Sequence, residues 1–361
     1  MSSRPSTRLS HAALITACVL WGGSFYFGKV ALATLSAHHV VLWRFVLALC
    51  ILLPISWHRA RADHRARRSA GAGADDSAAV SDGQASGPGA LRRLPAREDW
   101  PLFLLNAALM VPIQFILQFE GLDRTTASSA ALIVGGFAPL LAVAALIVDR
   151  EQPGRAGWAA IATSTLGLVL LVGSPGEGRS LVGDLMVLVS LVAAVSMVLC
   201  TRRLVHRYDS LLVTVISMGI GTLLLLPWTL ISAGLPPVDL PAEVWGALVG
   251  LGVGCTAITF SLWNWGIRYV RAAHAGIYVN LEPFIGAVLG VVLLGDVLTP
   301  KIILGGGLIL ASAAIISLPT RPRESFSPDT LHRSGTIRGS IRQSEGTIES
   351  ATSVHPDQHP N

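Results

Sequence analysis

Charge is the scarcest ingredient of this 361-residue chain: Asp, Glu, Lys and Arg together make up 14%, where a water-soluble domain carries about 25%. That shortfall excludes an ordinary soluble enzyme. Lysine is almost missing, with only Lys29 and Lys301 against 25 arginines, a usage that fits a high-GC bacterial genome. Cysteine is sparse too. Cys18, Cys50, Cys200 and Cys255 are far apart and each lies inside an apolar run, so neither a disulfide framework nor a zinc site is indicated. No Walker A sequence occurs, which argues against an ATP-driven pump, and the His-Glu-x-x-His and Gly-x-Ser-x-Gly signatures are missing as well. Gly250-x-Gly252-x-Gly254 lacks the dinucleotide spacing and has no strand before it. The net charge of +5 does not imply nucleic acid, because the arginines flank apolar runs. No metal, cofactor or nucleic-acid partner is expected.

What the chain has instead is apolar length. Hydrophobic residues make up 52% and the mean hydropathy is +0.58. About 20 apolar residues are needed to cross the hydrocarbon layer as a helix. Ten stretches qualify: 11–31, 39–57, 99–119, 126–148, 155–173, 182–201, 210–232, 243–265, 272–294 and 300–318. The expected fold class is therefore an all-α integral membrane protein of ten transmembrane helices, embedded in a lipid bilayer. Three polar segments fall outside the spans: the N-terminus 1–10, the stretch 58–98 and the tail 319–361. The Ala/Gly/Ser/Asp-rich centre of 58–98 and the Ser/Arg/Pro-rich tail read as disordered. The first apolar run exceeds a signal-peptide core and contains Trp21 and Lys29, so it is read as a retained span.

The arginines also set orientation. With the N-terminus inside, the inner segments hold 19 basic residues and the outer segments hold 4, namely Lys29, Arg124, Arg179 and Lys301. The positive-inside rule then places both termini in the cytoplasm, in the cytoplasmic (inner) membrane of a bacterium. Trp57, Trp100, Trp158, Trp245 and Trp265 lie near span ends, as an interfacial belt requires.

The chain repeats itself. The stretch from Glu120 to Glu151 can be laid over that from Trp265 to Asp296 with small gaps: Gly121 matches Gly266, Ala127 matches Ala272, and a mid-helix proline, Pro139 or Pro283, precedes an acidic residue. Ten spans in two halves give five per half. Five is odd, so the second half enters the membrane upside down. The expectation is two inverted five-helix repeats, 11–173 and 182–318, an arrangement that can open one cavity to either side.

These residues carry a resemblance. Trp21-Gly22-Gly23-Ser24 in the first span, Arg44-Phe45 in the second, the Pro139 helix followed by Glu151, Asn280-Leu281-Glu282-Pro283 and Gly295-Asp296 resemble the EamA-type family of the drug/metabolite transporter superfamily over roughly 11–318. The sixth span reads LVAAVSMVL where the family often has an aromatic residue and Trp. The resemblance implies secondary transport, commonly export, of small metabolites, amino acids or drug-like solutes.

An ionisable side chain at mid-bilayer costs about 2.5–3.5 kcal/mol on insertion scales, so it should face a cavity or a partner. Glu282, before Pro283 in the ninth span, is the leading candidate. His274, Tyr278 and Glu282 recur every four residues and predict one helical stripe, with Asn280 beside it. Pro283 and Pro139 are expected as helix breaks or hinges. Arg44 could bind an anionic group bidentately; the alternative is an arginine that snorkels to the outer interface and pairs with Glu120. Asn106, Gln114 and Gln118 share a face of the third span and, with Asn264, either line a path or bind helices together. Trp21, inside its span, is a cavity wall or plain packing. Lys29 is read as snorkelling, and His38 and His39 as solvated. Gly250-x-x-x-Gly254 and Gly286-x-x-x-Gly290 are read as helix-contact motifs.

The reading is a secondary transporter for a small-molecule solute, with Glu282, Asn280, Tyr278, His274, Trp21, Arg44 and Gln114 as cavity candidates, no catalytic residue, and a homodimer left open. Proton coupling through Glu282 is a sub-reading. Two alternatives stand beside it: a membrane enzyme acting on lipids, against which the scattered surface acids Asp149, Glu151, Asp184, Asp209 and Asp296 argue, and a scaffold or sensor that signals through its tail.

Overall fold

The computed structural model describes residues 7–71, 95–148, 154–172, 178–266 and 278–317. Among them every regular element is helical. We number the helices α1 (Thr7–Leu32), α2 (Ala37–Gly71), α3 (Trp100–Ala108, a π-helical turn Leu109–Ile113, then Gln114–Arg124), α4 (Ala127–Val134 and Phe137–Val148), α5 (Arg155–Leu171), α6 (Leu181–Val205), α7 (Ser210–Ser232), α8 (Ala242–Val249, a π-helical stretch Gly250–Ile258, then Thr259–Gly266), α9 (Leu281–Leu294) and α10 (Pro300–Ser317). Seven of them are long and apolar enough to cross a membrane, and α5, α9 and most of α10 are shorter apolar helices. Large apolar side chains such as Val169, Leu223, Ile231 and Val292 stand exposed, which suits lipid and not water. The chain is a multi-pass membrane protein.

One boundary differs from expectation. Helix α2 does not stop at residue 57 but runs on to Gly71, because His58 to Ala70 is rich in Ala and Arg, good helix formers that water can surround. Residues 72–94 and the tail 318–361 lie outside the described residues.

Apolar helices in lipid gain nothing from burying more apolar surface, so they associate through close backbone contact and polar bonds. Glycine supplies the first. A methyl group on Gly22 of α1 would come 2.8 Å from the Glu282 carbonyl oxygen of α9, and one on Gly221 of α7 would come 2.6 Å from the Ala107 carbonyl oxygen of α3. Gly167 and Gly305 bring α5 and α10 together in the same way. The pairings set helix direction. Ser128, Ala131 and Gly135 of α4 meet Gly290, Gly286 and Pro283 of α9, so these two run antiparallel; α1 runs parallel to α9, and α3 parallel to α7.

The pairings recur. Helix α1 packs on α8 and α9, and α6 packs on α3 and α4; α2 packs on α8, and α7 packs on α3; α4 with α9, α5 with α10 and α2 with α7 close the set. Adding five to a helix number in the first half reproduces the partners in the second. The irregularities recur as well. The π-helical stretches fall in α3 and α8, and Pro139 and Pro283 each occupy the third position of a helical segment.

That third position puts each proline three residues after a break in the helix. Neither proline breaks the helix at itself. In α4 the break is the Gly135-Gly136 turn, and before α9 it is the turn at Asn280. The first four N–H groups of a helix have no intrahelical acceptor, so a proline there sacrifices no bond. Each proline therefore restarts a helix.

Candidate functional site

The two breaks meet. Gly135 of α4 lies against Pro283 of α9, with Ile309 of α10 beside them, while Gly22, near the middle of α1, lies against Glu282 and Ile285. Glu282 thus sits at mid-depth, in the first turn of α9, where the positive end of a helix dipole favours a carboxylate. The residue is half-buried, and among the described residues nothing donates to its carboxylate.

Arg44 approaches from α2. It is 3% exposed, so it does not snorkel, and Glu120 is not its partner: that carboxylate takes Arg124 at 2.9 Å and His38 at 3.6 Å. Arg44 Nε donates to Thr256 Oγ1 at 2.9 Å, and that hydroxyl donates to the Leu251 carbonyl inside the π-helical stretch of α8. The guanidinium carbon lies 4.5 Å from the Phe115 ring centroid, 5.6 Å from Phe119 and 5.9 Å from Phe45. Desolvated cation–π contacts of this kind are each worth roughly 2 kcal/mol, which offsets part of the burial of the charge. Among the described residues the two terminal amino groups of Arg44 have no acceptor, and no ion pair joins Arg44 to Glu282. The two charges, with Cys18 and Cys255, are within electrostatic reach of one another.

The remaining candidates divide. Trp21 is half-buried and packs on Phe260 and Trp263 of α8, ring centroids 5.9 and 5.3 Å away. Tyr278 is drawn toward the start of α1, its hydroxyl 2.7 Å from His11 Nδ1 and its side chain packed on Leu14. The turn at Asn280 separates Tyr278 from α9, so the expected stripe is not one continuous helix; His274 lies outside the described residues. Asn280 is half-buried in that turn. Gln114 follows the π-helical turn of α3, half-buried, its side-chain oxygen enclosed without a donor. Asn106 binds helices together: its Nδ2 donates to Ser217 Oγ at 2.9 Å and its Oδ1 accepts from Thr201 at 2.9 Å.

Several interface residues prove to be buried. His39 is 7% exposed, with Nε2 3.2 Å from the Gly234 carbonyl, and His38 packs edge-on against Trp228; neither is solvated. Asp184 is fully buried, receiving Thr125 and Arg179 at 2.6 Å each, so it is no surface acid. Asp296 accepts the Ser128 backbone N–H at the start of α4 at 2.7 Å. Asp99, which drew no attention in the sequence, accepts Tyr208 and Arg207 at 2.7 Å each and ties the start of α3 to the α6–α7 turn. Its signal was the isolated acid at the head of an apolar run. Of the glycine motifs, Gly286 and Gly290 both meet α4, whereas Gly254 faces open space and Gly252 makes the contact with α2 instead, since a π-helical stretch shifts the register.

Glu282 lies where the two broken helices meet, and Arg44 lies on α2 against α8; among the described residues no cluster of His, Cys, Asp and Glu suits a metal. Known proteins share this architecture. A solved crystal structure superimposes with a TM-score of 0.54 at 16% identity over 85% of this chain and 96% of its own. An uncharacterized transporter of Archaeoglobus fulgidus is 25% identical, covering 77% of this chain and 87% of the relative. The "Probable terminal-alkyne amino-acid exporter" of Streptantibioticus cattleyicolor is 29% identical over 70% and 84%, and the uncharacterized inner membrane transporter YicL of Salmonella typhimurium is 32% identical over 62% and 73%. The sequence profile of the EamA-like transporter family matches residues 8–71 and 181–318, more than half of the chain, which belongs to that family.

Proposed function

We propose that this protein is a secondary transporter that exports a small organic solute across the bacterial cytoplasmic membrane by alternating access. In this reading the ten helices are ten crossings, α1–α5 and α6–α10 are inverted repeats, and both termini are cytoplasmic. The observation that carries it is the recurrence of the major helix pairings under a shift of five, together with two broken helices that meet beside Glu282. A pseudo-two-fold axis in the membrane plane relates such halves, and exchanging their two packings opens the centre to one side and then the other. The name of the Streptantibioticus cattleyicolor relative supports export. A lipid-modifying enzyme would gather its acids at the membrane surface; here Asp184 and Asp296 are bound into helix contacts.

The test is counterflow in liposomes. Protein reconstituted with solutes from a cell extract should exchange at least one labelled solute at a rate well above that of empty vesicles, and impermeant reagents should reach tags at both termini from the same side. Absence of any exchange, or termini on opposite faces, contradicts the reading.

A further inference from the structure

Helix α2 is longer than a bilayer is thick. Its 35 residues, Ala37–Gly71, rise about 52 Å at 1.5 Å each, against about 30 Å of hydrocarbon and about 40–45 Å with both headgroup layers included. The apolar part ends at Trp57, so the stretch from His58 to Gly71 stands in and beyond the headgroups of one leaflet. It holds five arginines, Arg59, Arg61, Arg65, Arg67 and Arg68, against one acid, Asp63. Basic residues fix the orientation of a span whether or not they are helical. Orientation alone therefore does not account for a helix that runs on through them.

The structure aims this extension at the headgroups. Trp57 is 59% exposed, the setting of an interfacial anchor. The guanidinium carbon of Arg61 lies 4.6 Å from the centre of the Trp57 ring, a cation–π contact that keeps this charge at the depth of the anchor. His58, Arg59 and Arg61 are exposed. Helical register places Trp57, Arg61, Arg65 and Arg68 along one stripe and Ala62, Ala66 and Ala70 along the opposite one. Asp63 is four residues from both Arg59 and Arg67, which lie off the stripe. No acid is three or four residues from Arg61, Arg65 or Arg68, so helix neighbours supply no opposite charge to the stripe. Pro54 lies inside α2 just before the extension and removes a backbone bond there, which gives the helix a place to bend toward the membrane plane.

We propose that the extension of α2 is a binding surface for anionic phospholipids of the leaflet in which the helix ends, with the phosphates of their headgroups held by Arg61, Arg65 and Arg68 beside Trp57. A guanidinium fork matches a phosphate bidentately, and each arginine near an anionic surface raises partition onto it about fivefold. Connectivity favours lipid over a soluble acidic partner, because the charged stripe begins within one turn of the last apolar residue, where headgroups always stand. The inference does not depend on the transporter reading. It needs only that α2 crosses the bilayer.

The experiment uses the full chain in nanodiscs of mixed phosphatidylcholine and phosphatidylglycerol. The four native cysteines are replaced, and a fluorophore is attached at Ala62→Cys. Trace lipid with a nitroxide near its headgroup is added as either phosphatidylglycerol or phosphatidylcholine. Labelled phosphatidylglycerol should quench the fluorophore about fivefold more strongly than labelled phosphatidylcholine at low salt. The ratio should fall to near one in about 1 M salt, where the Debye length is about 3 Å, and also when Arg61, Arg65 and Arg68 are each changed to Gln. A ratio near one for the wild-type arginines at low salt overturns the inference. So does a ratio that survives either the salt or the three substitutions. If neither lipid quenches and soluble polyglutamate shifts the emission instead, the extension docks an acidic polypeptide and the inference fails. Should the triple variant not fold, the lipid ratio and its salt dependence in the wild-type background decide.

Discussion

Two helix pairs occupy corresponding places in the two halves and use different chemistry. Between α7 and α3, Ser217 meets Asn106; between α2 and α8, Arg44 meets Thr256. Arg44 and Ser217 are each the eighth residue of their helix. In the first pair the amide donates to Ser217, accepts from Thr201, and is 1% exposed: a buried polar group with its bonding needs met, which binds helices together. In the second, an equally buried cation is left with free donors.

The comparison can be broken at either side. Replacing Arg44 by Gln should give the largest loss, at least tenfold in solute exchange per correctly folded molecule, with some stability lost as well, because the Thr256 bond and the contacts with the phenylalanines go with it. Replacing Asn106 by Leu should do the reverse: Ser217 and Thr201 lose a partner, stability falls by about 1–3 kcal/mol, and exchange per folded molecule stays near wild type. Thermal unfolding beside a flux assay separates the two. Gly221→Ala should also destabilise without touching the site, since its methyl would come 2.6 Å from the Ala107 carbonyl oxygen and α7 and α3 would have to part; a loss of roughly 1–3 kcal/mol is expected for such overpacking. Asp296→Asn keeps an acceptor for the Ser128 N–H but loses its charge, and about 0.5–1 kcal/mol of stability should go with it. Gly254→Ala is the smallest change. Nothing lies within 4 Å of the added methyl, so stability and exchange should both stay at wild type, and a strong effect would mean that the register of the π-helical stretch in α8 is wrong.

The all-helical, membrane-crossing character of the fold was legible in the sequence, because apolar length is set by the bilayer itself and does not depend on packing. Seven of the ten stretches carry a helix long and apolar enough to cross a membrane, and the other three carry shorter apolar helices. The Pro139 and Pro283 pattern announced broken helices, but the breaks fall at Gly135-Gly136 and Asn280, since a proline in a first turn starts a helix and the residues ahead of it give way. The site was less legible. Arg44 lies only seven residues from the start of its helix, a depth at which a snorkelling side chain is the natural reading; burial was decided by Phe115 and Phe119, more than seventy residues away. The same holds for His39 and Asp184, whose partners Gly234, Thr125 and Arg179 come from other elements. A periodic pattern reveals which face of a helix is polar. It does not reveal whether the facing element satisfies that polarity.

The central claim is that one site between the two halves faces each compartment in turn. Its most direct test is a protein in which the four native cysteines are replaced and Gln114, beside Phe115 on α3, is changed to Cys. An impermeant maleimide should label that residue in both right-side-out and inside-out vesicles, and transported solute should slow the labelling from each side. Labelling from one side only, or from neither, would contradict the account.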